Sequence, residues 1–349
     1  MPHVTFVHGI ANKPAADRLL DLWRRSLAEG AEGAEGAEGG AAGGIDLGAA
    51  GITSSMVYWA DVMYGQPLAE ADTESAMDEA VGEARAAGVE PAADLGIGQM
   101  DAGERLWVAS LAAKLAVPLA TAEVAGAATS AIAAAGVEPA AGAHISAGAG
   151  GAGGGPVQEV LERIPLPWAV KERIMRKFLR DVHHYLFNVE YSPRAGATFR
   201  VQDEIRGRML KALAEGAAQD PPHVVVSHSM GTVIAYDCLR RVGAVPAVDS
   251  LMTVGSPLGL DEIQDKLRPE WSRDDGFPRP RLRGGWVNVF DHLDPVAGFD
   301  PRLANDYRLG GREVIDDLNE QNFGTWRHDI SKYLAGAGLR GKLRQMLGL

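Results

Sequence analysis

The run Val224-Val225-Val226 leads into Ser227-His228-Ser229-Met230-Gly231, and a helix-forming segment from about Thr232 to Arg241 follows. An apolar strand, a Ser-X-Ser-X-Gly turn and a helix force the middle serine onto a tight, strained turn that presents its hydroxyl at the sheet edge. The chemistry expected of Ser229 is therefore nucleophilic attack on an acyl carbon. Small residues are needed on both sides of such a turn; Gly231 supplies one, and Ser227 stands where glycine is usual. Taken alone the segment has a second reading, in which Ser229 merely caps the helix.

A serine hydroxyl is a weak nucleophile until an imidazole takes its proton and a carboxylate holds that imidazole in the right tautomer. The chain supplies both, in the order Ser, Asp, His. Asp291 and Asp294 follow an apolar strand predicted over Trp286–Phe290, and His328 precedes a final helical segment over Asp329–Leu334. One of the two acids is expected to cap its own turn. His328 is the only histidine beyond both, whereas His292 sits too close to them in sequence to face both partners.

The other polar candidates carry less. His183 and His184 are adjacent on a predicted helix, so they face different directions and make a poor metal pair; one surface and one core position is expected. His228 flanks the nucleophile, and His8 is better placed to shape the loop after the first strand. Cys238 reads as a small buried hydrophobe. As the chain's only cysteine it excludes an internal disulfide and a Cys-rich metal site.

Elements that could position these residues alternate along the chain. Val4–Val7 reads as a strand, and Leu19, Leu20, Trp23 and Leu27 recur at helical spacing behind it. Residues 28–50 form a low-complexity loop in which Ala-Glu-Gly repeats four times and too little apolar surface exists to offset ordering entropy. Met56–Ala60 reads as a second strand ending at Asp61, with Trp59 or Asp61 available to line a site, although packing is the expected role. Residues 68–156 are rich in Ala, Gly and Glu. Trp107, Leu111, Leu115 and Leu119 nevertheless fall at i, i+4 positions, so this stretch is expected to be a helical insertion or a cap. Helices over Val170–Tyr185 and Val201–Leu213 and a strand over Leu251–Val254 complete an α/β layer pattern with a mostly parallel sheet.

Val7-His8-Gly9-Ile10, Ser-His-Ser-Met-Gly-Thr, Thr-Val-Gly-Ser-Pro-Leu-Gly and Asp-His-Leu-Asp-Pro-Val together resemble lipase-related α/β-hydrolases. The resemblance covers Pro2–Asp61 and about Asp181–Leu334; the Gly/Ala-rich part between them is outside it. It implies a single three-layer α/β-hydrolase-like domain over 1–349, with a helical, Gly/Ala-rich insertion. It also implies a Ser229–Asp294–His328 triad and an oxyanion hole from the N–H groups of Ile10 and Met230, with His8, Gly9, Trp59 and His228 lining the site. Asp294 is favoured over Asp291 because Asp-Pro-Val is the form such lipases carry and Pro295 restricts the backbone.

The implied activity is hydrolysis of a small-molecule or lipid carboxylic ester through an acyl-enzyme, without metal or organic cofactor. Thioester or amide hydrolysis and acyl transfer are the alternatives on the same triad. A non-catalytic hydrolase-like binding protein is another, and a membrane-surface role for the Trp107–Leu119 helix is disfavoured by low basic content. A formal charge of −12 and no dense Lys/Arg stripe argue against nucleic acid as a partner. Lys114, Pro118 and Glu123 interrupt the apolar stretch, so no transmembrane segment is expected. With no basic-then-apolar leader at the start, the expected location is cytoplasmic.

Overall fold

The computed structural model describes residues 1–29, 43–68, 95, 99–115, 168–324 and 326–349, with only the backbone of 168–173. Six strands form one parallel sheet: β1 (His3–Val7), β2 (Thr53–Val57), β5 (His223–His228), β6 (Ser250–Val254), β7 (Trp286–Phe290) and β8 (Ile315–Asn319), in the order β2-β1-β5-β6-β7-β8. From β1 the chain winds outward to β2, then returns to β5 and winds the other way. The order therefore reverses between β1 and β5, and in open α/β sheets the crevice beyond the strand ends at such a reversal is where ligands bind. His8-Gly9 follows β1 there and Ser229 follows β5.

Alternation along β5 explains why it is central. Val224 and Val226 face one apolar cluster and Val225 the other, so both sheet faces are covered. On the first face lie α1 (Ala16–Glu29), α8 (Ile330–Ala335) and α9 (Ala337–Leu347), through Trp23, Leu27, Tyr333 and Leu343. On the second lie α3 (Ala102–Lys114), α4 (Trp168–Leu186), α5 (Val201–Ala217), α6 (Met230–Arg241) and α7 (Asp261–Lys266). The short α2 (Ala60–Met63) and the antiparallel hairpin β3 (Glu190–Arg194) and β4 (Ala197–Arg200) complete the described elements.

Several expectations need correcting. The second strand runs Thr53–Val57 rather than Met56–Ala60, because it pairs residue for residue with His3–Val7. The chain leaves the sheet after Val57, and Trp59 gives its backbone N–H and its indole N–H to His8. The low-complexity loop ends earlier than expected: Ile45 and Leu47 are buried in the core. In the insertion, α3 carries Trp107 and Leu111, with Leu115 at its end, all buried; Leu119 and most of 68–156 lie outside the described residues. Among the described residues no helix is long and apolar enough to cross a membrane.

His183 and His184 are both buried, so neither is the surface position expected. Trp107 of α3 covers the first ring and Tyr191 of the β3–β4 hairpin the second. Burial lowers both to about 4, and lowers His223 at the start of β5 to about 4 as well. The native state keeps these rings neutral, while an unfolded chain takes up protons below about pH 6.5. Stability is therefore full above that pH and falls as pH drops toward the folded values. Urea-unfolding free energies measured from about pH 7 to about pH 5 should show this fall, and His223→Gln should make it shallower; a flat profile would contradict the assignment.

Candidate active site

Ser229 sits between β5 and α6 with φ 54° and ψ −128°, one of three non-glycine residues with positive φ among those described. Such a conformation costs on the order of 1–3 kcal/mol and persists only where its surroundings enforce it. Here the Ser229 N–H donates to Val254 O at 2.9 Å, while the Thr232 hydroxyl donates to Ser229 O at 2.7 Å and is itself bonded to the Ser256 hydroxyl at 2.8 Å. Gly231 is required by space, since a Cβ there would lie 2.4 Å from Val7 O. Ser227 is tolerated because its hydroxyl turns to Met252 O at 3.2 Å.

His328 stands on the loop between β8 and α8, and its Nδ1 lies 2.9 and 2.8 Å from the two oxygens of Asp294. Nδ1 therefore carries the proton, which leaves Nε2 as a lone-pair acceptor. Asp294 is fully buried. It also accepts the N–H groups of Val296 and Ala297 on Oδ1 and the Tyr333 hydroxyl on Oδ2 at 2.7 Å. Burial alone would raise this carboxyl; its electrostatic interaction with His328 and the hydrogen bonds from His328, Tyr333 and Val296 outweigh it and hold it below the ordinary value. The Tyr333 hydroxyl is pushed up, first by burial and then by the Asp294 charge, so it stays a donor.

Asp291, the other sequence candidate, has a different task. Its oxygens accept the N–H groups of Leu293 and Asn322 and pair with Arg327 at 3.1 Å. It caps its own turn and ties down the segment that leads to His328.

The Ser229 turn and the His328 ring both lie at the ends of β5 and β6. Gly255, next to the Val254 carbonyl that holds Ser229, has φ 55°, and a Cβ on it would lie 3.0 Å from Asp294 Oδ2 and 3.2 Å from His328 Nδ1. The His228 ring lies 4.6 Å from that of His328, tilted by 36°, and its Nε2–H donates to the His328 carbonyl at 2.9 Å. Among the described residues, Ser229 Oγ and His328 Nε2 are both buried without a hydrogen-bond partner. No hydrogen bond joins the two atoms.

The β1 loop faces Ser229 closely: a Cβ on Gly9 would lie 2.7 Å from Ser229 Cβ. His8 shapes this loop. Its Nε2 accepts the Trp59 N–H at 3.0 Å, so its Nδ1 carries the proton and donates to Gly9 O at 2.8 Å. Trp59 stacks on the His8 ring at 4.6 Å and is fully buried. No hydrogen bond from the N–H groups of Ile10 and Met230 occurs among the described residues; Met230 opens α6, whose first N–H groups have no intrahelical partner. Asp61 pairs with Arg208 instead of facing this loop. Cys238 is buried and its thiol is pushed up by that burial.

No group of three or more His, Cys, Asp or Glu that could hold a metal occurs among the described residues. No protein-family model matches the chain, and the search of curated proteins found no match. Two contributors were missed in the sequence. Tyr333 lies five residues beyond His328 on α8 and carries no motif, while Gly255 was legible only as part of a Gly-Ser-Pro loop. Replacing Gly255 with Ala should disturb the His328–Asp294 pair through both the positive φ and the missing space. The low-field proton resonance of the His328 Nδ1–H should then shift or broaden; an unchanged resonance in a folded Gly255→Ala protein would contradict this packing.

Proposed function

We propose that the chain is a serine hydrolase of α/β-hydrolase type that cleaves a carboxylic ester. What supports this reading is that Ser229 Oγ, on a strained turn, and His328 Nε2, on an imidazole held by a buried carboxylate, are both buried without a hydrogen-bond partner among the described residues.

Ser229 Oγ attacks the ester carbonyl as His328 Nε2 takes its proton. Asp294 keeps His328 in the tautomer that leaves Nε2 free to accept, and its charge stabilises the imidazolium that forms. The carbonyl oxygen becomes an oxyanion that the N–H groups of Ile10 and Met230 meet; losing one such donor costs about 3–4 kcal/mol. His328 then returns the proton to the departing alkoxide, leaving an acyl-enzyme. Water attacks that acyl group with His328 again as base, releasing the acid and restoring Ser229. The ester is a small molecule or a lipid, and the protein needs no other reactant than water.

Turnover of a panel of esters, thioesters and amides tests the reading and orders the substrate classes. Ser229→Ala and His328→Ala should each lower kcat by about 10³-fold or more, and Asp294→Asn by about 10³- to 10⁴-fold through the wrong tautomer. Asp291→Asn should change kcat by less than about tenfold and act mainly on stability. A folded wild type inert on all three classes, or turnover that survives Ser229→Ala, would overturn the proposal.

A further inference from the structure

The segment that carries the Ile10 N–H is held from outside the sheet by a single buried carboxylate. Asp181, on α4, is fully buried and lies 170 residues along the chain from the loop it touches. Its Oδ2 accepts the Ala11 N–H at 3.0 Å and the Tyr64 hydroxyl at 2.8 Å, while its Oδ1 takes the Arg180 guanidinium at 3.1 and 2.9 Å. Ala11 has φ 68°, a left-handed conformation that alanine adopts only under constraint.

The geometry around Ile10 is set from both sides. A trans peptide points its N–H opposite to its carbonyl. His8 holds the Gly9 carbonyl, which fixes the direction of the Ile10 N–H, and Asp181 holds the next peptide by its Ala11 N–H. Arg180 offsets the carboxylate charge, so Asp181 acts on the loop through placement rather than by opposing a nearby oxyanion.

We propose that Asp181 is a positioning residue for the oxyanion loop, keeping the Ile10 N–H aimed at the site where Ser229 forms its tetrahedral adduct. This rests on the hydrolase reading of Ser229. A residue that only joined α4 to the core would affect folding without touching transition-state binding.

The test compares wild type, Asp181→Ala, Asp181→Asn and Tyr64→Phe. It measures kcat and KM on a soluble ester and the inhibition constant of a trifluoromethyl ketone, with thermal unfolding as the control for folding. The ketone reports on the oxyanion site: Ser229 Oγ bonds to its carbonyl carbon, the oxygen becomes an alkoxide, and the proton passes to His328 Nε2. Asp181→Ala should lower kcat and ketone affinity in parallel by about 10- to 100-fold, with KM changed less than about threefold. Asp181→Asn keeps an acceptor for the Ala11 N–H and should recover part of the loss, and Tyr64→Phe should cost less than about tenfold. Wild-type kcat and ketone affinity in folded Asp181→Ala would overturn the inference while leaving the Ser229 reading intact. If Asp181→Ala does not fold, wild-type kcat and ketone affinity in Asp181→Asn, which should recover only part of the loss, would do so. A wild type that neither turns over ester nor binds the ketone would overturn the hydrolase reading, and this inference with it.

Discussion

The site depends on one interaction, the burial of the Asp294 carboxylate against the Nδ1–H of His328. Taking a carboxylate out of water is unfavourable by several kcal/mol unless donors replace the solvent. The protein supplies two backbone N–H groups, a tyrosine hydroxyl and the His328 Nδ1–H. Meeting those demands fixes the turn after β7, the path of the His328 loop and the seating of α8. The direction of the His328 lone pair follows from the same bonds.

Other buried acids in this protein are neutralised differently. Asp181 pairs with Arg180, Asp237 with Arg206 and Arg241, Asp291 with Arg327, and Asp306 with Arg273. Arginine stays charged at any relevant pH, so these pairs are permanent fixtures of the architecture. Asp294 alone among these five pairs with a histidine, a partner able to exchange a proton. A buried ion pair chosen only for holding elements together has no need of that property. Placed beside a strained serine at the reversal of strand order, it is what proton shuttling requires.

The strands that carry the site were legible because their burial is periodic or complete. The predicted strand Trp286–Phe290 has the observed bounds, and the run Val224–Val226 is legible as a strand because β-branched residues suit one covered on both faces. At the edges the signal is weaker: β2 is legible only with shifted bounds, and β8 is not legible. β8 reads Ile-Asp-Asp-Leu-Asn, and its acids make sense only in three dimensions, where Asp317 accepts the side-chain amide of Asn288 and the backbone N–H groups of Leu303 and Ala304. In α9 the residues Leu339, Leu343 and Leu347 do recur at i, i+4, so that helix was readable and was passed over. Of the candidate site, Ser229 and Asp294 stand in local motifs and His328 follows from chain order, whereas Tyr333 and Asp181 act through distant contacts that no spacing along the chain encodes.

Site mapping with a fluorophosphonate tests the central claim most directly. The account predicts a single phosphonyl group on Ser229, found by mass spectrometry of the digested protein, with labelling slowed severely in His328→Ala and Asp294→Asn. Modification of Ser227 or any other residue in its place, or no modification of the folded protein, would contradict it.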